Sequence, residues 1–196
     1  MDILIADDHA LHRELMRTLI ERVYPDAAIR EAMNYSQTTA GCAKYKPELL
    51  ILDVFMPGMN GLMGVNGIVK QFPQSRVLVC SGVENPILVS TMLAFGVCGY
   101  ISKNISASKL LKAIGTVLNG KTFVPKELMP AKDISLTQRQ AEILGMMYSG
   151  LTNKEIAQTL DLSLSTVKFH VSLVLKALGV ENRQQAVSAC GLARTP

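Results

Sequence analysis

Residues 49–61 read LLILDVFMPGMNG. Four apolar residues, Leu49 to Leu52, run straight into Asp53, with Pro47 upstream and Pro57-Gly58 downstream. A short apolar run bracketed by turn formers reads as a buried strand that ends in a loop. Open parallel sheets carry their ligand sites outside the carboxyl ends of their strands. Asp53 falls at such an end, so the flanking sequence decides whether it is the centre of the chemistry.

Working outward, the same strand-then-helix pattern repeats. Ile3 to Ala6 is an apolar run ending at Asp7-Asp8, followed by a helix marked by Leu11, Leu15, Leu19 and Val23 at four-residue spacing. A weaker strand near Ala28–Glu31 and a helix over Ser36–Tyr45 precede the central stretch. After it come a helix over Leu62–Phe72, a strand Val77–Cys80 ending at Ser81-Gly82, a helix over Pro86–Phe95, and a strand near Gly99–Ile101 ending at Lys103. A last helix places Leu110, Leu111, Ile114, Val117 and Leu118 on one face. Gly64 and Gly67 make the third helix the weakest, since each costs about 1 kcal/mol relative to Ala. Five such units predict an α/β doubly wound, five-stranded parallel sheet over residues 1–120.

Residues 121–133 contain Pro125 and Pro130 without periodicity and read as a linker. From 134 to 196 only helical patterns occur. Thr137 with Gln140 and Thr152 with Glu155 fit capping boxes, and Asn182 is a good N-cap. Helices are expected at about 138–148, 153–160, 164–177 and 183–192, an all-α second domain.

The chain has 196 residues, 48% hydrophobic and 18% charged, so a packed core is supported. Its net charge of +4 is shared evenly by the two parts and does not mark a nucleic-acid domain on its own. No apolar run reaches the length of a membrane span, and the acidic start MDILIADD does not resemble a signal peptide. A cytoplasmic protein is expected. The cysteines Cys42, Cys80, Cys98 and Cys190 form no CxxC and read as structural thiols rather than zinc ligands.

Asp7, Asp8 and Asp53 all fall at strand ends that a doubly wound sheet brings to one edge. Converging carboxylates repel each other unless a cation neutralises them. Hard oxygen donors suit Mg2+. Ser81 and Lys103 at neighbouring strand ends suit a phosphoryl group, with Asp53 as the nucleophile that forms an aspartyl phosphate.

In the C-terminal part, a helix at 100° per residue from Leu164 places Val167, Val171, Val174 and Leu178 on a narrow buried stripe. Ser165, Lys168, Phe169, Ser172 and Lys176 lie opposite. An exposed Phe among lysines and hydroxyls fits phosphates and base edges in a DNA major groove. With the preceding helix and the turn Asp161-Leu162-Ser163, it forms a helix-turn-helix.

Two family resemblances sharpen this. ADDH at 6–9, LDVFMPGMNG at 52–61, Ser81 and GYISK at 99–103 resemble a response-regulator receiver domain. That resemblance implies Mg2+ held by Asp7, Asp8, Asp53 and the backbone carbonyl of Phe55, and phosphorylation of Asp53 by a sensor histidine kinase. It also implies phosphoryl contacts from Ser81 and Lys103, and an aromatic switch at Tyr100. Gly82 stands where the family often has Ala.

Residues 136–187, with GLTNKEIA and LKALGVENRQQAV, resemble the LuxR-type (NarL/FixJ) four-helix DNA-binding domain. That implies base reading by Lys168, Phe169 and Ser172, and backbone contacts from Thr152, Asn153, Lys154, Ser165 and Thr166. Phe169 and Ser172 depart from the usual residues, which leaves the operator open. The family usually has an acid just after Arg139, and the Gln140-Ala141 here predicts loss of that charge pairing. His170 is expected to pack or to contact phosphate. Cys190 and Val187 face either a dimer partner or the protomer's own core.

The whole implies a DNA-binding, homodimeric regulator of transcription, not an enzyme beyond transfer of its own phosphoryl group and autodephosphorylation. The unphosphorylated receiver is expected to occlude the recognition helix or the dimer face. The alternative is a phosphorylation-independent LuxR-type regulator whose receiver responds to a ligand or to dimerisation. A Mg2+-dependent phosphohydrolase fits poorly, because Phe55 occupies the position two residues after Asp53 where such enzymes place an acid.

Overall fold

The computed structural model describes residues 1–129 and 136–190. Five strands, β1 (Asp2–Ala6), β2 (Ala28–Ala32), β3 (Leu49–Leu52), β4 (Arg76–Ser81) and β5 (Gly99–Ser102), pair in parallel in the order β2-β1-β3-β4-β5. Five helices connect or follow them: α1 (Ala10–Val23), α2 (Tyr35–Tyr45), α3 (Gly61–Gln71), α4 (Pro86–Phe95) and α5 (Ala107–Leu118). Every residue of β3 is buried, as expected for a central strand covered by helices on both faces. One apolar layer joins Leu4, Leu50, Leu52, Val77 and Val79 to the α3–α4 side. The other joins Ile3, Ile5, Ile51 and Leu78 to Met16 and Ile20 of α1 and Ile114 and Val117 of α5.

The leucine stripe that marks α1 in the sequence is not the face α1 buries. Leu11 is 82% exposed and Leu15 56%, whereas Met16, Ile20 and Arg13 are buried. The sheet meets α1 along Met16 and Ile20, and a period of 3.6 lets either stripe mark the helix. α3 forms in spite of its glycines.

The segment after α5 is not a free tether up to residue 129. Phe123 pairs with Gly99 beside β5, with Tyr100 N donating to Phe123 O (2.9 Å) and Phe123 N to Cys98 O (3.2 Å). A Cβ on Gly99 would lie 3.0 Å from the Phe123 carbonyl, so the glycine permits this approach. A 3-10 turn, Lys126–Leu128, then buries Leu128. The rest of the expected linker, 130–133, lies outside the described residues.

Four further helices follow: α6 (Gln138–Tyr148), α7 (Asn153–Leu160), α8 (Leu164–Leu178) and α9 (Arg183–Ala189). Both capping boxes form, and Asn182 accepts from Gln185 N. The expected extension of the last helix to 192 passes beyond the described residues. α6 packs on α3 and α4, so one apolar core continues from the sheet into the helical part. Gly145 sits at this joint. A Cβ there would lie 3.1 Å from the Met63 sulfur and 3.6 Å from Phe95. Mid-helix glycine costs about 1 kcal/mol relative to Ala, and close approach of two helices is the compensating gain.

Candidate functional site: an acid pocket and an exposed helix face

The pocket lies at the carboxyl edge of β1, β3, β4 and β5. Asp53 is the first residue past β3, and its N–H donates to Ala6 O (2.8 Å). Asp7, the first residue past β1, donates its N–H to Ala32 O (3.1 Å). Both carboxylates are buried, while Asp8 is exposed at the mouth. Lys103, just past β5, reaches back across the edge. Its Nζ lies 2.8 Å from Asp53 Oδ2 and 2.9 Å from Asp7 Oδ2, so one ammonium bridges two acids. Its backbone N–H donates to Ser81 O (2.8 Å), which ties the β5 end to the β4 end.

Electrostatics separate the two buried acids. Burial alone would raise the Asp7 carboxyl, but hydrogen bonds from His12, Lys103 and the His9 backbone hold it well below the usual carboxylate range. Asp53 keeps fewer partners. Burial pushes it above the usual value, with Lys103 and the Phe55 N–H (3.1 Å from Oδ1) opposing. Burial disfavours the charged Lys103, yet its bonds to Asp53 and Asp7 raise it. Lys103 is therefore cationic and Asp7 anionic at neutral pH.

The structure adds residues the sequence reading did not single out. His9 Nδ1 lies 2.7 Å from Asp8 Oδ1, and His12 Nδ1 lies 2.5 Å from Asp7 Oδ2. Donor atoms of Asp7, Asp8, His9 and Asp53 lie within 4.8 Å of one another, so this acidic pocket can hold a metal ion. The Asp-Asp-His run was a visible signal for His9. His12 becomes a neighbour only because α1 folds back over the pocket. Behind them the buried Arg13 donates Nη1 to Asp7 O (2.7 Å) and Nε to Glu31 (3.0 Å), and Arg17 also holds Glu31 (2.7 Å).

Ser81 is buried at the end of β4, and its Oγ accepts from Val83 N (3.2 Å). Tyr100 is fully buried in β5 and donates its hydroxyl to Val83 O (2.5 Å), and burial pushes that phenol up to about 12. A Cβ on Gly82 would meet nothing within 4 Å, so this departure changes no packing. Phe55 is 44% exposed.

On the helical part, Ser163 caps α8, and Asp161 in the left-handed conformation (φ 52°) turns α7 into α8. Val167 and Val174 are buried, with Val171 and Leu178 half-buried beside them. Ser165, Lys168, Phe169, Ser172 and Lys176 are all exposed on the other side. Thr152 and Lys154 are exposed, and Asn153 and Thr166 are half-buried. Ser165 and Thr166 share the Ser163 hydroxyl (2.8 Å each). His170 is half-buried, its ring edge-on to Phe169.

The recognition face is therefore open with the two parts docked, which corrects the first of the two expected modes of occlusion, cover of the recognition helix, and leaves the second, cover of the dimer face, untouched. The receiver meets α6 and the end of α9 instead. Cys190 is buried within the protomer, its thiol pushed up to about 12 by burial. The charge pairing predicted to be lost at α6 is kept, because Glu142 bonds Arg139 Nη1 (3.1 Å) from one turn away. Arg183 was also missed. It donates to Met147 O (2.9 Å) and Leu151 O (2.5 Å), pinning α9 to the α6–α7 turn.

A doubly wound parallel sheet with a lysine-bridged acid pocket at its carboxyl edge, followed by a helix-turn-helix, defines a receiver joined to a nucleic-acid-reading module. Residues 3–115 match the family described as Response regulator receiver domain, and residues 134–190 match Bacterial regulatory proteins, luxR family. The chain belongs to the response regulators of the NarL/FixJ type, with an N-terminal receiver and a C-terminal luxR-type domain.

It is 31% identical to the glycerol metabolism activator of Pseudomonas putida, over 96% of this chain and 94% of that one. It is 32% identical to the nitrate/nitrite response regulator NarL of Escherichia coli K12, over 94% and 92%. A solved complex of the two-component response regulator RcsB with DNA aligns over 97% of this chain and 98% of that one, at TM-score 0.66 and 25% identity. No helix among the described residues is long and apolar enough to cross a membrane.

Proposed function

We propose that this response regulator accepts a phosphoryl group on Asp53 from a sensor histidine kinase, and that the modification controls dimerisation and transcription through α8. In this reading residues 1–120 receive the signal, 134–196 bind DNA, and 121–133 join them in a cytoplasmic protein.

The observation that carries the reading is the Lys103 bridge between Asp53 and Asp7 (2.8 and 2.9 Å). An ammonium that already compensates two buried carboxylates is placed to neutralise a phosphoryl group, whose transfer depends on positioning and charge. The Asp53 carboxylate oxygen attacks phosphorus, the P–N bond to the kinase imidazole breaks, and that nitrogen leaves with the electron pair. Lys103 Nζ and Ser81 Oγ then meet the phosphoryl oxygens, and Asp7 holds Lys103 in place. The donor set of three carboxylates fits Mg2+, which Asp7, Asp8, Asp53 and the Phe55 backbone carbonyl would hold. Mg2+ would supply charge neutralisation at the phosphoryl oxygens. The chain performs no chemistry beyond gaining and losing this group.

DNA binding rests on the exposed face of α8. Lys168 and Lys176 suit phosphate or guanine edges, and Phe169, 60% exposed, suits a thymine methyl. RcsB, a structural neighbour, is solved on DNA and as dimers, which supports double-stranded DNA and a homodimer here.

Intact mass spectrometry with Mg2+ and acetyl phosphate tests the reading. One added phosphate is expected on wild type and none on Asp53→Ala. No adduct on wild type, with Mg2+ binding verified, would reject it in favour of a phosphate-independent regulator.

A further inference from the structure

The loop Ser81–Asn85 joins the acid pocket to the helical domain through one carboxamide. Asn85 is the N-cap of α4, its Oδ1 accepting from Ile87 N (2.8 Å) and Leu88 N (3.2 Å). Its Nδ2 donates to the carbonyl of Ala189, the last residue of α9, at 2.8 Å. Helix starts leave N–H groups without partners and helix ends leave carbonyls without partners. A single side chain thus satisfies both, one on each side of the domain joint. The positive start of α4 and the negative end of α9 also meet there, which favours the contact.

The other end of this loop is Ser81, whose Oγ accepts from Val83 N (3.2 Å), while Val83 O accepts from the Tyr100 hydroxyl. From the pocket the path runs by hydrogen bond from Ser81 to Val83, along the backbone through Glu84 to Asn85, and by hydrogen bond on to Ala189. Another tether across the joint is Lys70 Nζ of α3 on Glu142 Oε1 of α6 (2.5 Å).

We propose that Asn85 is the positioning residue that couples the phosphoryl site to the helical domain, and that its bond to Ala189 is a latch holding the closed arrangement. The proposal rests on the reading of Asp53 given above. A phosphoryl group on Asp53 offers Ser81 Oγ an acceptor, and turning toward it draws on Val83 and displaces Asn85 from Ala189. Because the recognition face of α8 is already exposed, the latch governs the freedom of α9 and of the whole helical domain, not access to the groove.

Binding free energies are reciprocal. If closure opposes the phosphorylated state, removing the latch must tighten binding of a phosphoryl mimic. The test titrates the full chain, with Mg2+ present, with beryllium fluoride followed by 19F NMR. Asn85→Asp and Asn85→Ser keep a good N-cap acceptor and remove the donor to Ala189. Both are expected to bind beryllium fluoride at least about fivefold more tightly than wild type. Small-angle scattering, diluted to the monomer, is expected to show both variants expanded without the mimic. Wild type stays near the roughly 16 Å radius of gyration of a compact chain this long until the mimic is added. A merely structural Asn85 would weaken mimic binding when altered.

Unchanged or weaker binding in both variants overturns the latch, as does a wild type that binds the mimic without expanding. If wild type binds no beryllium fluoride, the Asp53 reading fails instead. The variants' scattering without the mimic then still decides: expansion upholds the latch and a compact shape rejects it.

Discussion

Glu142 of α6 is buried in the domain joint and is held between Lys70 of the receiver and Arg139 of its own helix. One carboxylate thus faces a guanidinium it keeps in any arrangement and an ammonium it keeps only when the domains are docked. Lys70 is about half exposed, so its loss leaves the receiver fold intact. Lys70→Ala is expected to cost under about 1 kcal/mol of stability while loosening the joint, read as a larger radius of gyration by small-angle scattering. Glu142→Ala removes the partner of two cations and a buried side chain. A larger loss, about 2–3 kcal/mol by denaturant melt, is expected.

Asp53 illustrates a site that destabilises its own fold. Its folded-state pKa is raised, so protonation favours the folded chain, and that contribution fades as pH rises through the folded value. At neutral pH the ionised group is a net cost. Asp53→Asn removes the desolvation cost of a buried carboxylate and is therefore expected to raise stability. Thermal melts at neutral pH check this, and a lowered melting temperature would contradict it.

Asp7 behaves oppositely. Its folded pKa lies below the usual range, so its stabilisation is present above the unfolded carboxylate pKa and is lost as pH falls toward the folded value. Asp7→Asn is expected to lower stability at pH 7, with the difference from wild type shrinking in acid. Mg2+ at about a hundredfold over its Kd should stabilise wild type by about 2.7 kcal/mol and leave Asp7→Asn almost unaffected. Melts with and without Mg2+ measure both.

On α8, Lys168 and Phe169 should differ in kind. Lys168→Ala is expected to reduce the salt slope of DNA binding by about one if it contacts phosphate, with a loss spread across sequences. Phe169→Ala should leave the slope unchanged and cost about 1–3 kcal/mol on a selected site only. Fluorescence anisotropy on selected and random duplexes, across a salt series, separates the two.

The α1 helix offers a packing test. Leu11→Ser, at an 82% exposed position, should change stability by less than about 0.5 kcal/mol. Met16→Ala, fully buried under the sheet, should cost about 2–5 kcal/mol. Equal effects would mean that the helix is rotated from the position described.

The chain by itself determined everything that follows from local period and local chemistry. Apolar runs marked β1, β3, β4 and β5 and left β2 weak, capping residues marked the starts of α6, α7 and α9, and acids after β1 and β3 pointed to one sheet edge. These features need only nearest neighbours and the rules for connecting parallel strands. α1 shows the limit, because its leucine stripe and its Met16–Ile20 stripe are equally periodic and only the sheet's position chooses between them.

Tertiary structure alone decided which groups meet across long separations. It brought His12 onto Asp7, wrapped the Phe123 segment along β5, paired Lys70 with Glu142 and put Asn85 on the end of α9. Each of these contacts joins groups whose own sequence surroundings are unremarkable for such roles. Their energies depend on distance and burial, and both quantities exist only once the sheet and the helical domain have packed.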